Sequence, residues 1–410
     1  MKIAFVDLLF SWPPNGGADV DLYHTVQELQ RLGHEVRVFV AGYEKNWERG
    51  NVDVDAMPFP VTLLEFTTLS LNGPSMGQRF REAVDAWRPE AVFLGDGFFL
   101  KPWVIDALAH YPIAARFYAY EIPCIRDLLL FKNGAPCPNN YLRTPDECRT
   151  CAAAGMKDVI RRWRLLTWQH EFLVSGAFLP GYHQRLVESL RKVWCAIVYN
   201  ELQRSHLAGV IDNVHIVPGG VNASDYSYTP PTVRANSDKK VIFMAGRTED
   251  PMKGLTVLLE AVEKLAKHRS DFMIQATHTD HTLNREWFAA VGWHSHVGVK
   301  RFYQESDICV VPSVWEEPFG LVAVEAMASG RPVCASRVGG LQTIVEDGRT
   351  GFVFDRGDSG ALAAALERLL DDAALRDEMG RAGRARVEER YDWARVVEAH
   401  YPAILEVLAQ

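Results

Sequence analysis

Two glutamates, Glu317 and Glu325, stand with seven residues between them in the stretch PSVWEEPFGLVAVE, Pro312 to Glu325. Eight positions along a helix is just over two turns, so both carboxylates can fall near one face. Glu317 sits at a loop and helix start. Glu325 lies deeper, with Leu321, Val322, Ala323 and Val324 before it and Ala326, Met327 and Ala328 after it. A carboxylate beside buried surface costs several kcal/mol unless it has a partner, and the hydroxyl groups of a ligand are natural partners. The EPFGL segment between the two acids offers backbone N–H groups at a helix N-terminus, where an anion is favoured.

Three further clusters carry chemistry. AGRTEDPMKG at 245–254 places Arg247 and Lys253 six residues apart on one strand-to-helix loop. Two cations beside a helix start suit a diphosphate, or they are a solvated surface pair. NGGAD at 15–19 joins the first strand to the first helix. Gly16 and Gly17 would let backbone approach an anionic group there, or they form a flexible turn. Four of the seven cysteines, Cys124, Cys137, Cys148 and Cys151, crowd into one segment with spacings of x12, x10 and x2. That set suits a tetrahedral structural zinc, the alternatives being free thiols or disulfides. Cys195, Cys309 and Cys334 sit in strand-like apolar runs and read as buried thiols. DVD at Asp19–Asp21 and again at Asp53–Asp55 reads as surface charge, and HTDH at 278–281 as a polar loop. A helix over roughly 156–172 carries Arg161, Arg162, Arg164, Trp163 and Trp168. It can dock peripherally on anionic lipid or turn its aromatic side into the domain, and the acidic chain favours the second.

These groups need a scaffold. The chain has 410 residues, too many for one compact core, so two domains are expected. Apolar residues make 48% and charged residues 23%, an ordinary globular balance. A net charge of −8 argues against nucleic acid as the main partner. MKIAFVDLLFSW reads as a first strand rather than a secretory leader, since Asp7 interrupts it. No window offers the roughly 18 apolar residues of a membrane span, and a soluble cytoplasmic protein is expected.

Strand and helix signals alternate along both halves, the signature of parallel sheets. In the first half KIAFVDLLF, HEVRVFVA, the strand in RFREAVDAWRPEAVFLGD, PIAARFYAY, VWCAIVYNE and NVHIVPGGV read as strands, and VDLYHTVQELQRLG as a helix. Residues 121–156 break the rhythm as an inserted, Cys-bearing loop. Residues 219–240, polar and Pro-rich, form the best linker. After it KVIFMAG, DFMIQATH, HSHVGV, DICVVPS, RPVCAS and TGFVFD read as strands. LTVLLEAVEKLAKH puts Leu255, Leu258, Leu259, Val262 and Leu265 on one helix face. The expected fold class is α/β, two doubly wound Rossmann-like domains facing each other across a cleft. Their expected spans are 1–220, 221–390, and a closing helix at 391–410 that packs back on the first. Such sheets bind ligands beyond the carboxyl ends of their strands.

The chain resembles the retaining glycosyltransferases of family four, which have the GT-B fold. The resemblance rests on the Gly16-Gly17 loop, GRTEDPMKG, VPGGVN at 217–222, the run from Phe302 through GGLQTIVEDGRTGFV at 339–353, and YDW at 391–393. The stretch 302–353 is the specific part. The resemblance implies a metal-independent transferase moving sugar from a nucleotide-diphosphate donor (UDP-, GDP- or ADP-linked) to a hydroxyl on a carbohydrate, lipid-linked or small-molecule acceptor, with no cofactor required for catalysis. It places Glu317 at the transferred sugar and Glu325 on the ribose hydroxyls. Arg247 and Lys253 grip the diphosphate. Phe319, Gly320 and Leu321 meet sugar and phosphate through backbone, and Gly16 and Gly17 close over the donor phosphate. Some members carry a similar Cys-bearing insertion. Many place a histidine after a strand of the first domain. Here RFYAYEIPC holds Tyr118, Tyr120 and Glu121 instead, and Glu121 either serves the acceptor or is a loop surface charge. A phosphorylase or hydrolase of the same shape, and a nucleotide-sugar-binding protein without turnover, are the rival functions.

Overall fold

The structure is a computed structural model and describes residues 1–44, 50–127, 129–162, 167–228, 239–280, 283, 285–295 and 297–410. The chain divides into two compact units. The first holds Met1–Lys132, Pro136–Pro218 and Val397–Gln410, and the second Asn133–Ala135 and Gly219–Val396. The divisions thus fall at Pro218/Gly219 and at Val396/Val397, inside the last helix, against 220 and 390 from the sequence pattern.

The chain up to Pro218 runs, in order, β1 (Lys2–Asp7), α1 (Gly17–Arg31), β2 (Glu35–Tyr43), β3 (Val61–Phe66), α2 (Gly73–Trp87), β4 (Ala91–Leu94), α3 (Lys101–Leu108), β5 (Ile113–Arg116), β6 (Phe131–Lys132), β7 (Ala135–Pro136), α4 (Pro145–Arg162), α5 (Thr167–Val174), α6 (Pro180–Leu190), β8 (Cys195–Val198), α7 (Glu201–Leu207) and β9 (Val214–Ile216). Seven of these strands form one parallel sheet in the order β3-β2-β1-β4-β5-β8-β9. The central strands β4, β5 and β8 are buried at every residue, because helices cover both faces of a parallel sheet. Strand order reverses between β1 and β4, so the loops after these two strands open at the topological switch point. Both the Gly16-Gly17 loop and Asp96 lie there.

Unit 2 runs β10 (Lys240–Met244), α8 (Leu255–Leu265), β11 (Phe272–Ala276), β12 (Phe288–Ala290), α9 (Lys300–Glu305), β13 (Ile308–Val311), α10 (Leu321–Ala328), β14 (Val333–Ser336), α11 (Leu341–Ile344), β15 (Gly351–Phe354), α12 (Ser359–Asp371) and α13 (Ala373–Arg390), with α14 (Trp393–Leu408) closing the chain. Its six strands are parallel in the order β12-β11-β10-β13-β14-β15. The core joins Leu258, Val262 and Leu265 of α8 to Leu362, Leu366 and Leu369 of α12, the apolar face that helical spacing marks. Here the order reverses between β10 and β13, and the loops after those strands carry Arg247 with Lys253 and Glu317.

Within unit 1 the end of α14 packs onto the first sheet. Tyr401 stacks on Phe93 with ring centres 5.9 Å apart, and Glu398 pairs with Arg31 at 2.6 Å.

Four elements differ from the sequence pattern. VTLLEF forms β3, an edge strand whose mixed exposure gave no alternation to read. HSHVGV is not a strand among its described residues; Val297 there is 75% exposed, and the strand is the shorter β12 upstream. The insertion is a loop only to Thr144, because α4 starts at Pro145, with proline at the first helical position and Asp146 and Glu147 in the first turn. The linker is not all spacer: Tyr226 and Tyr228 anchor to unit 2 through Glu325 and Asp377, while 229–238 lies outside the described residues.

Candidate functional site

The loop after β10 and the loop after β13 are pressed together by one glycine. Gly254 has φ +77°, and a Cβ on it would fall 1.9 Å from the Pro312 carbonyl oxygen. Only glycine permits that approach in that conformation. Val314 N–H donates to the Met252 carbonyl at 2.9 Å, fastening one loop to the other.

This contact brings Lys253 onto Glu317. Lys253 Nζ lies 2.9 Å from Oε1 and 3.0 Å from Oε2. Ser313 Oγ (2.9 Å) and Trp315 Nε1 (3.0 Å) also donate to Oε2. The pair is half-buried, with side chains 25% and 13% exposed, so solvent screens it only in part. The Glu317 carbonyl accepts the Gly340 N–H at 2.8 Å. Its neighbour Glu316 is spent on structure, taking Gly339 N–H at 2.7 Å and the Arg356 guanidinium.

Glu317 precedes α10 rather than riding on it, which corrects the shared helix face expected from spacing. The helix begins at Leu321, and Gly320 before it has φ +112°, with Leu341 packed where a side chain would project. The Phe319 ring turns inward beside Tyr391 (6.0 Å), leaving the backbone of 319–321 as the part that can face a ligand.

Glu325 sits one turn into α10 and is 4% exposed. Tyr303 hydroxyl donates to Oε2 at 2.7 Å and Tyr226 hydroxyl to Oε1 at 3.2 Å. Burial, and then the Glu325 charge, push both phenols well above their usual pKa. The protein thus supplies hydroxyl partners of its own. Neither tyrosine was singled out from sequence; the signal was a tyrosine in the supposed linker and another in FYQES.

Arg247 is exposed on the same loop as Lys253. Residues beyond β11 hold that loop in place. His278 Nδ1 meets Thr248 Oγ1 at 3.0 Å in a buried contact, and Glu249 accepts Thr279 N–H and hydroxyl at 2.5 and 2.6 Å. The described part of HTDH is therefore a clasp on the cationic loop.

In unit 1, Gly16 caps α1 in extended conformation, and a Cβ on it would meet nothing within 4 Å. Asp19 accepts the N–H groups of Ser11, Asn15 and Gly16 at 3.0, 2.8 and 3.1 Å. Asp19 and Asp21 are 5% and 3% exposed, against the expectation of surface charge. Asp21 pairs with Arg116 at 2.7 Å and accepts from Tyr199 at 3.0 Å, contacts that compensate its burial. Glu121 is likewise buried, at 2%, and not a surface charge. It stands 3.4 Å from Lys101, and burial raises its pKa while Lys101 opposes that. At the switch point Asp7 accepts Leu9 and Asp96 N–H at 2.9 and 2.6 Å; burial and then the Asp96 charge raise its pKa well above the usual carboxylate range.

The cysteines of the insertion also converge. Cys124, Cys137, Cys148 and Cys151 all line one small, partly open cavity. Among the described residues, however, no three histidine, cysteine or acidic groups stand as a ready metal cluster, and all seven cysteines are free thiols. Cys195, Cys309 and Cys334 are 0%, 1% and 0% exposed. On the basic helix, Trp163 and Arg164 lie outside the described residues; Trp168 packs partly buried against the first core. No helix among the described residues is long and apolar enough to cross a membrane.

The fold, α/β with a parallel sheet in each of two units, matches solved structures of the GT-B fold. Sucrose-phosphate synthase from Thermosynechococcus elongatus superposes with a TM-score of 0.69 at 19% identity, covering 100% of both chains. Anabaena HepE, solved with UDP and glucose, superposes at 0.67 and 16%, again over 100% of both. Residues 239–372, which hold Arg247, Lys253, Glu317 and Glu325, match the family model described as Glycosyl transferases group 1. It is 32% identical over 201 residues to phosphatidyl-myo-inositol mannosyltransferase of Mycobacterium leprae, 47% of this chain and 53% of that one. The chain spans about half the length of the curated relatives it matches.

Proposed function

We propose that the protein is a retaining glycosyltransferase that moves a sugar from a nucleotide-diphosphate donor to an acceptor hydroxyl. The observation that carries this reading is the Lys253–Glu317 pair at the switch point of a group 1 glycosyltransferase domain. A cation and a carboxylate held together there match the two charges of the reaction. As the glycosyl–phosphate bond breaks, negative charge gathers on the diphosphate and positive character on the anomeric carbon. Lys253 and Arg247 stabilise the first, and Glu317 lies at the sugar. Preorganised charge of this kind is worth several kcal/mol of barrier, and this route asks no metal to supply it.

The backbone of Phe319, Gly320 and Leu321, at the N-terminus of α10, faces the phosphate and sugar. Glu325 takes the ribose hydroxyls. Tyr226 and Tyr303 donate to its carboxylate and hold the group still for the nucleotide. The acceptor oxygen attacks on the face the diphosphate leaves, and its proton passes to a leaving phosphate oxygen. The acceptor is a carbohydrate, a lipid-linked saccharide or a small molecule.

A thermal-shift series with UDP, GDP, ADP and their sugars tests donor binding, since a ligand of the native state raises its melting point according to affinity. UDP comes first because HepE was solved with it. A shift with one nucleotide, and release of that nucleotide from its sugar in the presence of acceptor, supports the reading. Sugar phosphate formed from inorganic phosphate without nucleotide would indicate a phosphorylase; binding without turnover would indicate a sensor.

A further inference from the structure

We propose that Cys124, Cys137, Cys148 and Cys151 together bind one zinc ion that fastens the 121–156 insertion to the first unit. The inference is independent of the donor site.

The four thiols come from three separate pieces of chain. Cys124 lies in the loop after β5. Cys137 follows directly on the β6–β7 hairpin, its N–H bonded to the Leu130 carbonyl at 2.8 Å. Cys148 and Cys151 ride the first turns of α4, three residues apart and hence on one face. Residues so scattered have no reason of local structure to meet, yet all four line the same cavity.

The segment has little regular structure of its own, although Ile122, Ile125 and Tyr141 sink into the first core and Asn140 donates to the His206 carbonyl at 3.2 Å. Between the end of β5 and the start of α4 the only regular element among the described residues is a hairpin of two-residue strands. A loop of this length without its own core usually has a function or a staple. Its backbone is nonetheless held in costly conformations: Leu130, in the cavity wall, has φ +52°, a left-handed value rare for a branched side chain. No disulfide closes it.

Donor chemistry and charge both select the ion. Soft thiolates in fourfold set favour zinc over magnesium or calcium. Four thiolates around a divalent cation leave a net charge of −2, and the cavity's charged lining, Arg126 and Lys132 against Asp127, is net positive. Arg126 Nη1 already donates to Cys151 Sγ at 3.8 Å, the kind of outer contact that steadies a metal-bound sulfur. Cys124 donates its thiol to Asp127 at 3.3 Å; on metal binding that proton is lost, and Asp127 keeps the Leu129 N–H at 3.1 Å.

The thiols as placed do not form a finished cluster. Closing it requires side-chain rotation, and turning a cysteine between staggered wells moves its sulfur by roughly 3 Å. Each thiol that ligates releases its proton to solvent, up to four per ion, so uptake is accompanied by acidification.

The test is metal analysis of the full chain purified without chelator, with cobalt substitution as a second readout. About one zinc per chain is expected, together with intense thiolate-to-cobalt absorption in the cobalt form and a lower melting point after chelation. Cys151→Ser and Cys137→Ser should lose the metal, while Cys195→Ser, altering a thiol away from the cavity, should keep it. Should the variants misfold, the wild-type cobalt spectrum still decides. Zinc-free protein without thiolate–cobalt absorption, or a Cys148–Cys151 disulfide in place of metal, overturns the proposal.

Discussion

Replacing Glu317 by glutamine tests the donor site at its most informative point. The carboxylate holds Lys253 at 2.9 and 3.0 Å and accepts from Ser313 and Trp315. Glutamine keeps one acceptor oxygen for those two donors, removes the charge, and puts an NH2 donor where the other oxygen accepts from Lys253. At a separation near 4 Å and an effective dielectric near 20, unit charges interact by about 4 kcal/mol. Exposure of 25% and 13% screens the pair, so about a third of that is realised, about 1.4 kcal/mol. This attraction competes with a diphosphate for Lys253. Glu317→Gln should therefore bind nucleoside diphosphate about tenfold more tightly, the equivalent of about 1.4 kcal/mol. Turnover should move the other way, falling on the order of 100-fold or more as the sugar loses its carboxylate. Calorimetric titration with the nucleotide that gives the thermal shift measures the first effect, and single-turnover sugar transfer the second. A variant that binds no tighter and transfers at the wild-type rate refutes both the competition and the role of Glu317.

Further expectations concern the supports of the site. Tyr303→Phe leaves a buried carboxylate short of its 2.7 Å donor and should destabilise the fold by about 1.5–3 kcal/mol in urea titration; a change below about 0.5 kcal/mol would mean the bond is unimportant. Tyr226→Phe, which removes the longer 3.2 Å bond, should cost less. Gly254→Ala must push the 247–253 loop off Pro312, so it should lower both stability and nucleotide affinity; wild-type affinity in a folded variant would show that the loop contact does not position Lys253. The Asp7 carboxyl should titrate above the usual carboxylate range by carbon NMR, and Asp96→Asn should lower its midpoint by removing the neighbouring charge. Since folded Asp7 keeps a proton that the unfolded chain has released, its contribution to stability declines as pH rises from the ordinary carboxylate value through the raised one. An Asp7 midpoint unmoved by Asp96→Asn would dissociate the two.

The parallel sheets were readable because strands covered on both faces are written as continuous apolar runs. DICVVP and RPVCAS became β13 and β14, buried at every residue. An edge strand lacks that signature, and β3 passed unnoticed. A short polar-flanked run such as HSHVGV mimics a strand, since apolar content alone does not say whether a neighbour exists to pair with it. The early start of α4 was hidden by cysteines and a glycine, although Pro145 and two acids marked it.

Burial of charge was the least readable property. Asp21 and Glu121 look like loop charges in sequence, and each is buried because a cation from another part of the chain, Arg116 or Lys101, reaches it. Spacing alone placed Arg247, Lys253, Glu317 and Glu325 on the loops and helix that follow β10 and β13. The chain order of strands, and with it the position of those residues beyond carboxyl ends, is a local property that apolar periodicity encodes. The partners were decided only in three dimensions. Lys253 meets Glu317 across 64 positions, and Glu325 is satisfied by Tyr226 across 99 and Tyr303 across 22. Electrostatic pairing depends on distance in space, and no period in the sequence records which loops the folded sheet will bring together.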